Sequence, residues 1–276
     1  MNKEILRKVQ LVQLEIAKEI KRVCENNNIN YFLDSGTLLG AVRHQGFIPW
    51  DDDLDIGMLR NDYEKFLKIA TKALKEDYFL QTWDTDKNYP LAFAKIRKKG
   101  TIYIERVAEM SKAENGIYVD IFPYDVFPNK KIQKIKQGLF IEIYRRIMLI
   151  KLKYYPWTAK ITFFNKIKTF IAYLPIFLIS IFVNKEKIKQ KYTSVMTKHN
   201  NEKTDFLYEQ AGASRYGKWI IPTKCFNSFI NLPFEDTIFS CPNNFKKYLN
   251  TAYGNYMQLP PIEQRENRHN IIKIKL

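Results

Sequence analysis

The sequence predicts an α+β fold, a mixed β-sheet core with flanking helices and an appended basic helical lobe, and three observations carry that expectation. Short β-branched and aromatic runs bounded by turn residues are interleaved with helix-period segments through the first 128 residues. From Lys130 to Lys203 the pattern is helical, and this segment holds 17 Lys and Arg against three acids, Glu142, Glu186 and Glu202. With 276 residues, 46% of them hydrophobic, the chain is long enough to bury a full core. The expected divisions are 1–128 for the core, 129–203 for the lobe and 204–276 for a mixed, turn-rich region punctuated by Pro222, Pro233, Pro242, Pro260 and Pro261.

The first element is a helix over about 3–27. Ile5, Val9, Val12, Ile16, Ile20 and Val23 form a core-facing stripe, and Glu4 and Glu15 interrupt any signal-peptide pattern. Ile29 to Leu33 reads as a short buried strand, Asp34-Ser35-Gly36 as a turn, and Thr37 to Arg43 as one or two helical turns capped by Ser35 or Thr37. A strand near 53–58 follows, then a helix near 61–75 and strands near 78–83, 91–97 and 101–105. Gly116 to Pro123 reads as a buried strand ended by its proline, which leaves Asp125 in a turn. Helices fill about 130–200; Phe234 to Pro242 reads as a strand ending at a turn, and Asn243 to Leu249 as a helix. Cys24, Cys225 and Cys241 offer no CxxC pair and fit a reducing compartment without structural zinc.

The chemistry concentrates in residues 33–58. On an extended strand, Asp53 and Asp55 point to one side while Leu54 and Ile56 point into the core. Two such carboxylates repel, and a divalent cation stabilises their joint ionisation; oxygen ligands without a Cys or His cluster suit Mg2+ or Mn2+. A solvated acidic turn after Pro49 and Trp50 is the alternative. Upstream, Ser35, Gly36 and Thr37 stand where a strand gives way to a helix start, a place whose amides and dipole bind phosphate. Asp120, a single charge in the apolar run Gly116 to Pro123, is the expected third carboxylate, since a lone buried Asp is costly without a partner.

Three segments together resemble the LicD family of phosphotransferases: Gly36 to His44 with Pro49 to Gly57, then Gly116 to Pro123, and the closing Tyr253-Gly254-Asn255-Tyr256-Met257-Gln258-Leu259-Pro260-Pro261. The resemblance implies a nucleotidyltransferase-like core, related to the fukutin group. The activity it implies is transfer of a phospho-alcohol from a CDP-activated donor, CDP-choline being the best-known, to a hydroxyl of a teichoic acid or lipopolysaccharide glycan. It also implies that Asp53 and Asp55 hold the metal, that Asp120 is a third ligand or the general base, that Gly36 and Thr37 form the phosphate turn, and that the C-terminal region packs back on the core. Ser35 departs from the pattern, standing where relatives carry Gly. Lys95 and Arg97 alternate on an expected strand and so point one way, toward the charge of the leaving phosphate or simply toward solvent. Arg43 and His44 close the short helix as substrate contacts or dipole partners, and His269 in Arg265-Glu266-Asn267-Arg268-His269 joins the candidate binding residues through a weak match to the family's end.

Nearly all of the net charge of +16 lies in the 130–203 segment. Its lysines are mixed with aromatic and aliphatic residues, and its longest apolar run, Ile171 to Val183, has 13 residues and a proline, short of the ~20 that cross a bilayer. The expected partner is an anionic inner-leaflet surface, which places the protein in the cytoplasm, peripheral to the membrane, with an acceptor glycan built on lipid. No zinc-finger, RNP-like or helix-turn-helix pattern accompanies the charge, so nucleic acid is not an expected partner. A nucleotidyltransferase releasing pyrophosphate from an NTP, and a catalytically silent membrane scaffold, are the competing readings.

Overall fold

In a computed structural model that describes residues 1–159, 162–209, 216–217, 219–267 and 269–276, helix α1 (Lys3–Asn26) opens the chain. The Asn2 side chain caps it by accepting from the amides of Glu4 and Ile5. Its buried stripe includes Leu6, Val9, Ile16, Ile20 and Val23, while Ile5 is exposed and Val12 half-buried, so the expected stripe is rotated at its start. The cause is polar: Gln10 and Gln13 turn inward to donate to the carbonyls of Asp51 (2.9 Å) and Asp52 (3.0 Å).

Next come β1 (Phe32–Leu33), α2 (Ser35–His44), β2 (Asp55–Leu59), α3 (Arg60–Ala73), β3 (Tyr78–Gln81), β4 (Ala94–Lys98), β5 (Ile102–Glu105) and β6 (Tyr118–Val126). Strands β2 and β6 form a parallel centre, β1 pairs antiparallel with β2, and β4 and β3 extend the other side, in the order β1-β2-β6-β4-β3. The mixed sheet expected from the sequence is therefore present. Beyond the reach of β4, strand β6 pairs with β7 (Phe206–Glu209), which pairs with β8 (Ile220–Pro222).

Two expectations about β6 are corrected. The strand does not stop at Pro123. The Asp120 amide donates to Leu54 on the β2 side, so the N–H that Pro123 lacks would face the opposite edge, where pairing with β4 has ended at Ile121 and pairing with β7 starts at Tyr124. Asp125 is consequently a strand residue and not a turn residue. It is buried, and its carboxylate accepts two hydrogen bonds from Arg60 (2.8 and 2.5 Å) and one from Asn200 (2.6 Å).

Residues paired across a sheet point to the same side. Ile56, Ile121 and Ala94 form one such row and sit in the main core, against which α1 and α3 pack. On the other face, Phe93 and Phe122 pack against Ile141 of α4 (Lys131–Lys151) and Tyr192 and Met196 of α6 (Lys185–Thr197). Helix α5 (Phe163–Phe182) packs on α4 from outside. It contains Pro175 and runs 20 residues, so the 13-residue apolar run is part of a helix of bilayer-crossing length, contrary to the estimate from the sequence.

In the C-terminal region, what read as one strand over Phe234 to Pro242 is a hairpin. Strand β9 (Phe229–Phe234) turns through Glu235, at φ 56°, and Asp236 into β10 (Thr237–Pro242). The turn is fixed because Glu235 accepts from Arg7 and from the Phe47 amide. Helix α7 (Phe245–Tyr253) and strand β11 (Ile271–Lys275), antiparallel to β5, complete the chain. All three cysteines are buried and free.

Removing one partner of a buried ion pair strands the other charge. Asp125→Ala is expected to cost about 3–5 kcal/mol of stability, read by chemical denaturation, with Arg60 left unpaired beside β6.

Candidate active site

The site begins as a row of side chains across the sheet. Asp55 on β2 pairs with Asp120 on β6, Asp120 with Lys95 on β4, and Lys95 with Gln81 on β3, so all four lie on one face. Two carboxylates on adjacent strands are thus forced together, and one lysine answers them: Lys95 Nζ lies 2.7 Å from Asp120 Oδ1. Burial pushes the Asp120 carboxyl up, and the ammonium of Lys95 works against that. Among the described residues Asp55 has no such lysine or arginine beside it. Burial, then Asp53, Asp120, Asp34 and Asp51, hold its carboxyl well above the ordinary range.

The strand β2 starts at Asp55, two residues later than the sequence suggested, yet alternation begins earlier. Asp51, Asp53 and Asp55 line a cavity of about 460 Å3, while Asp52, Leu54 and Ile56 are buried. The segment is fixed from several sides: Gln10 and Gln13 hold its carbonyls, Tyr103 donates to the Asp52 carbonyl at 3.3 Å, and Asn267 to that of Trp50 at 3.2 Å. Carboxylate oxygens of Asp51, Asp52 and Asp53 all lie within 4.8 Å of one another. Hard oxygen donors on one wall, with unbalanced charge at Asp55, fit a divalent cation.

The turn ahead of α2 supports this wall. Asp34, rather than Ser35 or Thr37, caps the helix by accepting from the Ser35 amide at 2.9 Å. Its buried Oδ1 also accepts from the hydroxyls of Tyr124 (2.7 Å) and Tyr248, which compensates part of the burial that pushes its carboxyl up. Ser35 takes φ 46°, a left-handed conformation that glycine adopts without strain. A Cβ on Gly36 would stand 2.9 Å from Asp51 Oδ2, so only glycine lets the helix start approach the carboxylate this closely. The Thr37 hydroxyl accepts from the Asp55 amide at 2.8 Å and so positions the strand rather than lining the cavity.

The remaining expected residues divide. His269 enters the cavity from the C-terminal segment, with Nδ1 3.0 Å from Asp52 Oδ1 and Nε2 3.9 Å from Asp53 Oδ2. Burial works against its charge, but Glu105, Asp52 and Asp53 outweigh it and hold the imidazole well above its ordinary value. Arg97 shares a sheet face with Lys95 but is spent on structure, donating to Gln81 and to the Gly116 carbonyl at 2.5 Å each. Arg43 and His44 lie outside the cavity lining: Arg43 donates to His44 Nε2 (3.0 Å) and the Tyr256 carbonyl (3.1 Å), and burial with Arg43 holds His44 below its usual range. Arg268 falls outside the described residues.

Two comparisons bear on what this geometry belongs to. The family model for the LicD/FKTN/FKRP nucleotidyltransferase domain matches residues 28–166, which carry the Asp51–Asp55 segment and Asp120. The lipopolysaccharide cholinephosphotransferase LicD of Haemophilus influenzae is 32% identical over 98% of this chain and 97% of its own. The chain belongs to the LicD family. It is a transferase of that type, with the mixed sheet and flanking helices of a nucleotidyltransferase-like core. The ribitol 5-phosphate transferases FKRP of human and mouse are 44% identical over 48 residues, 17% of this chain and 10% of theirs.

This LicD site includes residues that sequence reasoning missed. Asp51 has a signal, since it continues the i, i+2 alternation of Asp53 and Asp55. Glu105, whose carboxyl accepts from the Tyr118 hydroxyl at 2.8 Å, has none, because β5 meets the site only through tertiary packing. Arg145, Trp219 and Tyr253 also line the cavity from distant segments.

A raised folded-state value means that the fold binds the Asp55 proton more tightly than the unfolded chain does. Stability from this group is then fullest below the ordinary 3.8 and is lost as pH rises through the raised value. In chelator at neutral pH, Asp55→Asn should melt about 2–4 °C above wild type, the shift that about 1 kcal/mol gives in a chain of this size. Its melting temperature should also gain less on acidification than that of the parent protein.

Proposed function

We propose that the protein transfers phosphocholine from CDP-choline to a hydroxyl of a lipopolysaccharide-type glycan, releasing CMP, with Mg2+ or Mn2+ held by Asp51, Asp53, Asp55 and Asp120. The observation that carries this reading is Asp55, a half-buried carboxyl among like charges that no lysine or arginine of the described residues pairs with. Uncompensated charge of that kind costs stability and is retained where a cation completes the site. The identity with the Haemophilus enzyme over nearly the whole chain supports the phosphocholine and lipopolysaccharide parts.

When bound, the cation supplies charge neutralisation on the donor diphosphate. The chain's own residues do the rest. The start of α2 faces the cavity at Ser35 and Gly36 and turns a positive dipole end to a phosphate, although the Ser35 amide itself is spent on Asp34. The sugar oxygen attacks the phosphorus bearing choline, the bond from that phosphorus to the bridging oxygen breaks, and CMP departs with the electron pair. Asp120, steered by Lys95, is the fourth ligand or takes the hydroxyl proton. His269, whose proton the surrounding carboxylates of Glu105, Asp52 and Asp53 hold more tightly than usual, stands beside Asp53 where negative charge gathers.

The alcohol is argued from the cavity's other wall. The rings of Trp219 and Tyr253, edge to face at 5.4 Å, line it with the carboxylate of Glu209. Aromatic faces with a carboxylate suit a quaternary ammonium.

CMP release by the purified protein with Mg2+ and an acceptor glycan, compared across CDP-choline, CDP-ribitol, CDP-glycerol and CTP, tests the proposal. Acceptor-stimulated CMP from CDP-choline is expected; pyrophosphate from CTP would replace the reading with nucleotidyl transfer. Trp219→Ala should raise KM for CDP-choline by about 3- to 30-fold while leaving weak turnover of CDP-glycerol unchanged.

A further inference from the structure

Helix α5 shows solvent a surface that no described part of the chain covers. Of its 20 residues only Tyr173 and Ser180 are buried. Phe164 and Phe182, near its two ends, are 83% and 88% exposed, and Phe170, Leu174, Phe177, Leu178 and Ile181 between them are exposed as well. An apolar surface that extends over about five helical turns marks a place where something apolar docks.

The way the helix is fastened decides how. By length and composition it can cross a bilayer. Its inner edge, however, is tied to α4: Arg146 donates to the Ala172 carbonyl at 3.3 Å and lies 5.0 Å from the Tyr173 ring, and Lys151 donates to the Ser180 carbonyl at 2.6 Å. Just ahead of it, Trp157 packs edge-on against Phe170 and Tyr173 at 5.5 and 5.6 Å. Helix α4 is itself built into the body through Ile141 and Met148. A helix clamped side-on at residues 170–180 lies along the domain; to thread the hydrocarbon it would have to pull Arg146 and Lys151 in with it.

The surrounding charge identifies the covering. Lys166 and Lys168 are exposed in the first turns of α5, and Lys187 and Lys191 in α6, within a segment that holds only three acids. A second copy of this chain would bring the same positive segment and be repelled, whereas an anionic lipid surface meets both the charge and the apolar side chains. We infer that α5 lies in the plane of an anionic lipid leaflet, with its Phe and Leu side chains among the acyl chains and its lysines at the headgroups.

This docking does not rest on the chemistry proposed above, but it bears on delivery of the acceptor. Pro156 and Ala159, which flank Trp157, line the cavity together with Arg145 and Leu149 of α4. Helix α4 thus lines the cavity and holds the lipid-facing helix, which suits an acceptor carried on a lipid.

The test is flotation of the full chain with phosphatidylcholine vesicles, with and without phosphatidylglycerol, and with no donor present. Co-flotation with the anionic vesicles is expected, weakened by salt. It should fall at least tenfold for the exposed double variants Phe177→Ser/Leu178→Ser and Lys166→Glu/Lys168→Glu, at unchanged melting temperature. Equal binding to neutral vesicles, flotation that both variants retain, or no flotation would overturn the inference. So would a dimer in light scattering that Phe177→Ser/Leu178→Ser dissolves, which would assign the face to a second copy. Because no turnover is read, failure here leaves the proposed reaction standing, and failure of the reaction leaves the docking standing.

Discussion

The constraint on which the rest of the structure depends is the gathering of carboxylates on one face of a buried sheet. Pairing between β2 and β6 makes Asp55 and Asp120 neighbours, and Asp51 and Asp53 continue the same side upstream. Like charges this close would push the strands apart if the backbone were not held independently of them. It is held so: Thr37 grips the Asp55 amide, Gln10 and Gln13 grip the carbonyls of Asp51 and Asp52, and the hydrophobic row Ile56, Ile121 and Ala94 secures the opposite face. The polar residues on the inner side of α1, unfavourable in an ordinary core helix, make sense as backbone supports for the acidic segment.

How much of this could be read from the chain follows from which contacts are local. Asp53, Asp55, Asp120 and Lys95 were legible as candidates, and so was the common side of Asp53 and Asp55 and that of Lys95 and its strand, because alternation fixes facing without knowledge of neighbours; that Asp120 and Lys95 join the face of Asp55 comes from the pairing of β2, β6 and β4. The same rule placed Arg97 on that face but not its partners: Gln81 comes from β3 and the Gly116 carbonyl from the entry to β6. Pro123 and Asp125 were misread for a related reason. A proline ends a strand only if its missing donor was needed, and that depends on where β4 stops and β7 starts. The cap of α2 was legible as a cap, but Asp34 took the role from Ser35 and Thr37 once Tyr124 and Tyr248 were at hand to satisfy a buried carboxylate.

The basic segment repays a residue-by-residue view of its charge. Several of its cations point inward: Arg145 and Arg146 share Glu142, Lys151 holds a carbonyl of α5, and Lys189 donates to the Trp83 carbonyl. Helices α4 and α6 cover the second face of the sheet, so the segment is partly scaffold, and its solvent-facing charge is carried by a subset of lysines. Composition registered the total and not that division, since inward and outward lysines are identical in sequence.

Tyr248 and His269 lie at the far end of the chain from the carboxylates they serve. They are synthesised after Asp51 to Asp55 and Asp120. Until they are made, the acidic wall has only one of the two hydroxyls that Asp34 accepts from, that of Tyr124, and lacks the imidazole beside Asp52. Completion of the pocket therefore waits for the segment from Tyr248 to His269, and a chain cut between them would keep the acidic wall but not the imidazole beside it.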